Sequence, residues 1–450
     1  MVNRVFLVEE FVYRVEKENY QPSEDEVKKL GELLGQPTKK LSVLLDRYWQ
    51  VFTKYIEKRC SSLGSQSICI YSWKVNVPFR VFPLALHASG TVILFEGDRP
   101  LEVLAYPFNK PLSYGKSPGV PEEECGDVVP REVSMRVDGW HLTAYYNPLI
   151  KRWVFATRYV LHNMYFRKGK LVEEPLDSVA NPYVIVADKI AERDGLYEAL
   201  DKYKGWTFTF VLEGPEPAIT RPPHPLGSEV EKYKLYSLMA RGPDGKLYTW
   251  AETARLLGYR APGTVEAKPV KSLYEDVKNR LDTRSYFAYV DSGDPENPLI
   301  LELESQYYAE AMNVKYLYDA KSAAILVSEG LGGRLAGLLE STLVNRVLEL
   351  GSVYSELERV LSRAVEDAAI KCVSGVIVKA TRKRGVAEIN ANEVIKNLIE
   401  GNYKRVAKKA VALLLSGLSL ATKEPTEVVS DLVKALRECV EPTLERSSPS

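Results

Sequence analysis

The residues best placed for chemistry lie in one segment, VSMRVDGWHLTAYYNPLIKRWVFATRYV at 133–160. Arg136 precedes the dipeptide Asp138-Gly139, which closes one predicted strand, and HLTAYYN opens the next. An Asn-Pro dipeptide then predicts the turn of a β-hairpin that returns as RWVFATR. A guanidinium stays protonated because its pKa is above about 12, so Arg136 has no free lone pair with which to attack a substrate. The segment therefore predicts a strand end and hairpin with a permanently charged side chain at Arg136.

A second set of candidate residues forms two basic clusters in predicted helices near the C-terminus. Residues four apart share a helix face, as Lys404 and Lys408 do. Such cations can follow a phosphate backbone, and Tyr403 can stack on a base. The alternative is a solvated helix face with no ligand. The candidate RNA-binding residues are Arg382, Lys383, Arg384, Tyr403, Lys404, Arg405, Lys408 and Lys409.

Composition limits the kind of protein that positions these residues. The chain has 450 residues, with 60 Lys+Arg and 60 Asp+Glu, so it can form two or three domains and has no net charge. Zero net charge excludes a globally basic nucleic-acid coat but leaves room for a local basic groove. Five Cys without a CxxC pair indicate neither a zinc ribbon nor a disulfide scaffold, and four His argue against a His-rich metal site. Balanced charges, 27 Tyr and only 5 Met hint at a thermophilic source.

The sequence shows no targeting or membrane signal. Residues 1–20 are charged from the first turn and contain no long apolar run, unlike a signal peptide. The most apolar stretch, KKAVALLLSGLSLATKE, is too short and too interrupted to span a bilayer and predicts a buried helix. We therefore expect a cytoplasmic protein with no membrane partner.

Periodicity divides the chain into three predicted regions. Residues 1–66 predict a helical N-terminal extension, in which helical spacing continues to about Cys60. Residues 67–327 alternate short β-type runs with turns and helical insertions, which predicts an α+β domain built on antiparallel sheet. Within it, NPYVIVA at 181–187 is a predicted strand. Residues 328–450 predict an all-helical C-terminal domain.

The segment around Arg136 resembles the nucleotidyltransferase motif of phage-type RNA ligases and related ATP-dependent covalent ligases. In that family a Lys-x-Asp-Gly strand end is followed by a hairpin that ends in a Trp-x-x-x-Thr-Arg-like strand, as residues 153–158 do here. Further segments resemble the family in the same order along roughly residues 67–325. They are FNKPLSYG, GWTFTFVLEGPEPAI, YKLYSLMARGPDGKLYTWAET, SYFAYVDSG and LILELESQYY. The resemblance implies a ligase-like α+β domain.

The family's key positions are altered in this chain. In the family, the motif lysine attacks the α-phosphate of ATP and carries AMP as a phosphoramidate, and Arg136 stands at that position. A strand glutamate that helps to bind nucleotide or metal falls at Val211. A final Lys-x-Lys pair, which steadies the α-phosphate, falls at Glu302 and Glu304. The family's Glu-Gly-x-Val strand falls near 284–290, with no carboxylate at the Glu position.

The reversed charge of the last pair bears on ATP binding. One unit charge at ~4 Å contributes up to about 4 kcal/mol at a dielectric near 20, so exchanging a cation for an anion changes the interaction with phosphate by up to roughly 8 kcal/mol before solvent screening. The resemblance therefore implies a ligase fold that has lost ligase chemistry. The catalytic positions would be Arg136, Asp138 and Gly139. The degenerate nucleotide pocket would comprise Ser89, Arg158, Val211, Glu302 and Glu304.

Three hypotheses follow from these departures. The first is a catalytically degenerate RNA-ligase homologue that binds RNA or serves as a structural subunit beside an active partner protein, with no cofactor, no protein metal site, and oligomerisation left open. The second is an active ligase that adenylates a lysine, passes AMP to a 5′-phosphate and joins a 3′-hydroxyl, with ATP and Mg²⁺. It requires either Lys315 and Lys321 as the phosphate-neutralising pair or Arg136 as a substitution introduced for a native lysine. The third is a structural scaffold that binds no nucleic acid.

Overall fold

The computed structural model describes residues 3–74, 76–116, 119–161, 164–167, 170–173, 182–214, 230–293, 298–385 and 389–444. The chain divides into two compact units. The first comprises Met1–Tyr274 and Ser285–Leu303, and the second comprises Glu275–Arg284 and Glu304–Ser450. A search of the described residues finds no helix with the length and apolar character needed to cross a bilayer.

Helices and strands alternate through the first two thirds of the chain, and helices alone follow. The described helices are α1 Arg4–Lys17, α2 Glu24–Leu33, α3 Leu41–Lys54, α4 Phe82–His87, α5 Glu122–Cys125, α6 Pro182–Arg193, α7 Leu196–Leu200, α8 Trp250–Leu257, α9 Val270–Val277, α10 Gln306–Leu317, α11 Ala320–Ser328, α12 Gly332–Ala336, α13 Ser341–Leu361, α14 Asp367–Lys383, α15 Ala391–Ile399, α16 Tyr403–Leu414 and α17 Glu424–Leu444. The described strands are β1 Ile56–Leu63, β2 Gln66–Trp73, β3 Thr91–Glu96, β4 Arg99–Ala105, β5 Leu112–Ser113, β6 Glu132–Met135, β7 Trp140–Asn147, β8 Arg152–Thr157, β9 Met164–Arg167, β10 Lys170–Glu173, β11 Thr207–Glu213, β12 Lys234–Arg241, β13 Leu247–Tyr248, β14 Thr264–Val265, β15 Ser285–Val290 and β16 Leu299–Glu304.

An antiparallel sheet of strand order β1-β2-β3-β4 carries the N-terminal helices on one face. Val8 of α1 and Val51 of α3 belong to the same buried core as Tyr71 and Phe95 of the sheet. Side chains on the opposite face of this sheet, such as Ile70, pack with residues of β7 and β8. The alternating inward and outward side chains of the strands therefore connect two hydrophobic layers.

The predicted helix through Cys60 is wrong. The helix α3 ends at Lys54, and β1 begins at Ile56 and pairs with β2, with Cys60 opposite Cys69. Ile56 is the only buried residue of β1. Because an exposed edge strand has little hydrophobic alternation, residues 56–63 carry no strand signal, and pairing with β2 decides their conformation.

A second sheet has the strand order β13-β12-β11-β7-β8, with α6 and α7 against one face. The predicted strand at 181–187 is wrong, because α6 begins at Pro182. Proline is favoured at the first position of a helix, and Val184, Val186 and Ile190 of α6 are buried against the sheet. A short apolar run does not distinguish a strand from a buried helix.

A third sheet has the strand order β14-β6-β15-β16-β5, antiparallel except where β16 meets β5. Residues from the second and third sheets, including Val211, Leu238, Tyr289 and Ile300, form one core. The strand β6 belongs to the third sheet and β7 to the second. The segment between β6 and β7, which contains Arg136, therefore passes from one sheet to the other.

The second unit is a bundle of helices α10 to α17 with its own hydrophobic core. Together with the antiparallel sheets, this bundle confirms the predicted α+β fold class and the helical C-terminal region. The division into regions 1–66, 67–327 and 328–450 stays a prediction.

Two disulfides correct the expectation drawn from cysteine spacing. Cys60–Cys69 joins β1 to β2, and Cys372–Cys439 joins α14 to α17, whereas Cys125 is free. The partners are 9 and 67 residues apart. Strand register and helix packing bring them together, and neither is visible in the spacing of cysteines along the chain.

Candidate functional site

The candidate site is built around Arg136, directly after β6. The backbone N–H of Arg136 donates to the carbonyl oxygen of Ser285, the first residue of β15, at 2.9 Å. Its guanidinium forms an ion pair with Glu302 of the neighbouring strand β16. The Ser285 hydroxyl donates to the same carboxylate oxygen of Glu302 at 3.0 Å. The position that the resemblance assigns to a nucleophile thus holds a cation that a carboxylate neutralises.

The surroundings keep this ion pair in place. The guanidinium carbon of Arg136 lies 5.7 Å from the ring centroid of Phe287, within cation–π range. The side chains of Arg136 and Glu302 are 25% and 13% exposed, so solvent screens their attraction only in part. The carboxylate of Glu302 accepts hydrogen bonds from Arg136 and from Ser285. The positive charge of Arg136 is therefore balanced by Glu302 within the protein.

Asp138 and Gly139 fix the start of β7 beside this pair. Asp138 is buried. A Cβ at Gly139 would lie 2.1 Å from the carbonyl oxygen of Leu212 in β11, so only glycine allows the two backbones to approach this closely. The dipeptide therefore sets the spacing of β7 and β11, in addition to turning the chain.

Val211 of β11 lies directly opposite His141 of β7. Val211 is buried in an apolar core that includes Leu238. The ring of His141 meets that of Phe108 edge-on, with centroids 5.1 Å apart. Both ring nitrogens of His141 are buried and have no hydrogen-bond partner within the described part of the chain. Val211 stands at the position that the resemblance assigns to a glutamate. Its side chain has no polar atom that could form a hydrogen bond with the His141 ring.

Ser89 and Arg158, two further predicted pocket residues, meet through Gly90. Gly90 has φ of +86°, and a Cβ there would be 3.3 Å from the Cα of Arg158. Part of the Arg158 side chain reaches solvent, but its Nε is buried, as is the Oγ of Ser89. No described residue forms a hydrogen bond with either of these atoms. We refer to Ser89, His141 and Arg158 as the unpaired cluster.

The unpaired cluster is electropositive. Burial lowers the pKa of His141 well below its ordinary value, and the charges of Arg158 and Arg136 lower it further. Burial also lowers the pKa of Arg158, and the charge of Arg136 adds to this effect. His141 is therefore neutral near pH 7, whereas Arg158 remains charged. The unpaired cluster thus offers donors and positive charge to an anion.

Within the described ranges, no group of three or more His, Cys, Asp or Glu side chains could hold a metal. Near Arg136, Glu302 is engaged in the ion pair, and Val211 has no oxygen in its side chain. These side chains alone therefore do not form a set of ligands for magnesium, which binds through one or two carboxylates together with water and substrate phosphates.

The alternative alignment through Lys315 and Lys321 receives no support from the fold. Lys315 lies in the last turn of α10 and Lys321 in the first turn of α11, both in the second unit. By contrast, Glu302 lies in a strand and pairs with Arg136. Glu304 ends that strand, and α10 follows it.

The predicted RNA-binding residues lie in the second unit, and acidic neighbours neutralise several of them. Lys404 and Arg405 are exposed on α16, and Lys383 is exposed at the end of α14. Tyr403 packs partly against the helical core. Arg382 is exposed as well. Three members form ion pairs: Lys408 with Glu329, Lys409 with Glu393, and Arg384 with Glu424.

Sequence reasoning missed His141, Ser285 and Phe287 as parts of the site. His141 follows Arg136 by five residues in a predicted strand, and counting the strand register against GWTFTFVLE would have placed it near Val211. Ser285 and Phe287 are two residues apart on β15, but nothing in their types marks them as functional.

Comparisons with known proteins give structural similarities only. No family model matches the chain, and no curated protein matches it. It is similar in structure to an archaeal ATP-dependent RNA ligase, at 16% identity and a TM-score of 0.38, over 83% of this chain and 98% of that one. It is also similar to a Naegleria gruberi RNA ligase variant solved with AMP and Mn, at 13% identity and a TM-score of 0.28, over 42% of this chain and 53% of that one.

Both solved structures are RNA ligases. At these identities the similarity concerns the fold. At these TM-scores no functional conclusion rests on it.

Proposed function

We propose that this chain is a catalytically degenerate RNA-ligase-like protein, which acts by binding RNA or by serving as a structural subunit. The observation that carries the proposal is the ion pair between Arg136 and Glu302. Covalent adenylation needs an unprotonated amine at the motif position, and a guanidinium cannot supply one. The Glu302 carboxylate also balances the charge of Arg136, which weakens the attraction of this guanidinium for a phosphate.

We infer that the unpaired cluster still binds an anionic group without covalent chemistry. A buried polar atom without a hydrogen bond costs about 1–3 kcal/mol, so each unpaired atom of Ser89, His141 and Arg158 favours a ligand that satisfies it. A phosphate-bearing ligand would accept from the Arg158 guanidinium and from the neutral His141 ring. The chain would thus keep an anion site beside a neutralised catalytic position.

The adenylation reaction provides the direct test. The protein is incubated with α-labelled ATP and Mg²⁺, denatured, and examined for covalent label beside an active RNA ligase as a positive control. We expect no label on the wild-type chain. We also expect none on Arg136→Lys, because Glu302 and Val211 remain. Label on the wild type would support the active-ligase hypothesis, and label on Arg136→Lys would contradict the proposed loss at several positions.

Binding to single-stranded RNA distinguishes the two non-catalytic roles. Exposed Lys383, Lys404 and Arg405 support an RNA contact, whereas the ion pairs of Lys408 and Lys409 reduce it. Affinity that falls steeply with salt would support RNA binding. The absence of any affinity would favour the structural subunit. Cytoplasmic location, oligomeric state and thermophilic source stay predictions.

A further inference from the structure

A cavity of about 480 Å³ lies in the first unit, between α1 and α3 on one side and the sheet strands β1, β2 and β3 on the other. Tyr13, Tyr48, Trp49 and Phe95 contribute aromatic walls. The lining contains none of the residues around Arg136, so this cavity is separate from the candidate ligase-like site. Its size is in the range of small-molecule sites, and Trp49, 55% exposed, marks its accessible side.

The charged lining favours a cation. Three carboxylates, Glu9, Glu16 and Asp98, face two ammonium groups, Lys17 and Lys58, which leaves a formal charge of 2 − 3 = −1. Lys17 and Asp98 pair with each other at 2.9 Å on the exposed rim. None of the described residues pairs with Glu16, which is exposed. The excess negative charge therefore sits at Glu16.

One side chain of the protein already shows how this cavity holds an ammonium group. The Nζ of Lys58 lies 3.3 Å from a carboxylate oxygen of Glu9 and 4.0 Å from the ring centroid of Phe95. Glu9 is buried and also accepts a hydrogen bond from the Tyr71 hydroxyl at 2.9 Å. A carboxylate combined with an aromatic face is the usual environment for an organic cation.

The helix α1 sets the spacing of the carboxylates. Glu9, Tyr13 and Glu16 follow each other at intervals of four and three residues, so they share one face of α1. At 1.5 Å per residue, Glu9 and Glu16 are separated by roughly 10 Å along the helix axis. Lys58 already pairs with Glu9. An added ammonium group therefore has Glu16 as its partner, and its aliphatic chain can lie against the aromatic rings between the two carboxylates.

We propose that this cavity binds an aliphatic polyamine, with an ammonium group near Glu16 and methylene groups against Tyr13, Tyr48 and Trp49. A nucleotide fits the cavity less well, because its phosphates would approach three carboxylates. A bare metal ion fits less well too, because Glu9 and Glu16 are too far apart to share one ion. The inference does not depend on the proposed function.

Calorimetric titration of the full chain with spermidine tests the proposal. We expect binding that weakens with added salt and that weakens about tenfold in Glu16→Gln, because a charged hydrogen bond is lost. The matched control is Glu18→Gln, an exposed residue two positions further on that does not line the cavity, and it should bind as the wild type does. Trp49→Ala should weaken binding several-fold through lost apolar contact. Residues 16 and 49 are both exposed, so these variants are expected to fold.

Three outcomes would overturn the polyamine site. The first is no heat of binding with spermidine at low salt. The second is equal affinity in Glu16→Gln and Glu18→Gln. The third is displacement of spermidine by AMP, or equal binding of an uncharged diol of the same length, since either result would show that the carboxylates do not select the ligand.

Discussion

Two groups of side chains at the candidate site differ in how their charge is balanced. At the Arg136–Glu302 pair the carboxylate neutralises the cation, and Ser285 supplies a further hydrogen bond to that carboxylate. At the unpaired cluster, Arg158 and His141 have buried nitrogen atoms without partners among the described residues. The charges of the first group are balanced within the protein, whereas the second group has buried polar atoms that no described residue satisfies.

This difference bears on the proposed function. If Glu302 and Val211 stand where the resemblance assigns a lysine and a glutamate, the first change brings a carboxylate to Arg136 and the second leaves His141 without a polar neighbour on β11. Under the proposal, covalent chemistry and anion binding depend on different residues and can be tested separately.

The largest expected effect is on stability, from Glu302→Gln. Removing this carboxylate leaves the partly buried Arg136 guanidinium without its counter-charge, beside the positive unpaired cluster. We expect unfolding free energy to fall by about 2–3 kcal/mol, measured by chemical denaturation. The control is Glu24→Gln, which breaks the exposed pair with Lys39 and should cause no measurable change. Equal stability of both variants would show that Glu302 does not neutralise Arg136.

A pH effect is the next largest. His141 and His87 are both buried, and burial lowers the pKa of His87 to about 3, with smaller effects from the charges of Arg4 and Arg241. The unfolded chain takes up protons below its histidine pKa of about 6.5 while the folded chain does not, so stability falls as pH drops through that value. The loss is about 1.4 kcal/mol per pH unit and per histidine.

Urea denaturation between pH 7 and pH 5 measures this loss. In His141→Asn and in His87→Gln, the unfolding free energy should fall less steeply with decreasing pH, by about 1.4 kcal/mol per pH unit in each variant. If His141→Asn leaves the slope unchanged, the imidazole takes up a proton in the folded protein as readily as in the unfolded chain, and burial does not hold it neutral.

A smaller effect is expected on anion binding, where Arg158 is compared with Arg136. We expect Arg158→Gln to weaken the binding of AMP about tenfold, because a charged hydrogen bond is lost. Arg136→Gln should change it little, because Glu302 already occupies that guanidinium. Ligand-induced shifts of the thermal midpoint measure both. A larger loss of affinity in Arg136→Gln than in Arg158→Gln would show that the anion binds at Arg136.

The smallest effect is on the salt dependence of RNA binding. Lys404→Gln with Arg405→Gln should reduce the slope of log affinity against log salt by about 1.4, which corresponds to two fewer neutralised phosphates on a single strand. Lys408→Gln with Lys409→Gln should change the slope less, because Glu329 and Glu393 already pair with these lysines. Fluorescence titrations at several salt concentrations measure the slopes. Equal changes in both variants would mean that RNA displaces the acidic partners.

Local pattern in the sequence was enough to predict the strands around Arg136 and the helical C-terminal region. Residues such as those of β11 and β12 alternate strongly and have turn residues beside them, so their conformation follows from local preference. The sequence also showed that Arg136 cannot act as a nucleophile, because that property belongs to the side chain itself.

Only the tertiary structure decided what surrounds Arg136. Glu302 is 166 residues away along the chain, and sheet order brings the two together. The strand at β1, both disulfides and the unpaired nitrogen atoms of His141 also depend on pairing between distant segments. The residue type sets the charge of a side chain. Packing decides whether a group of opposite charge lies beside it.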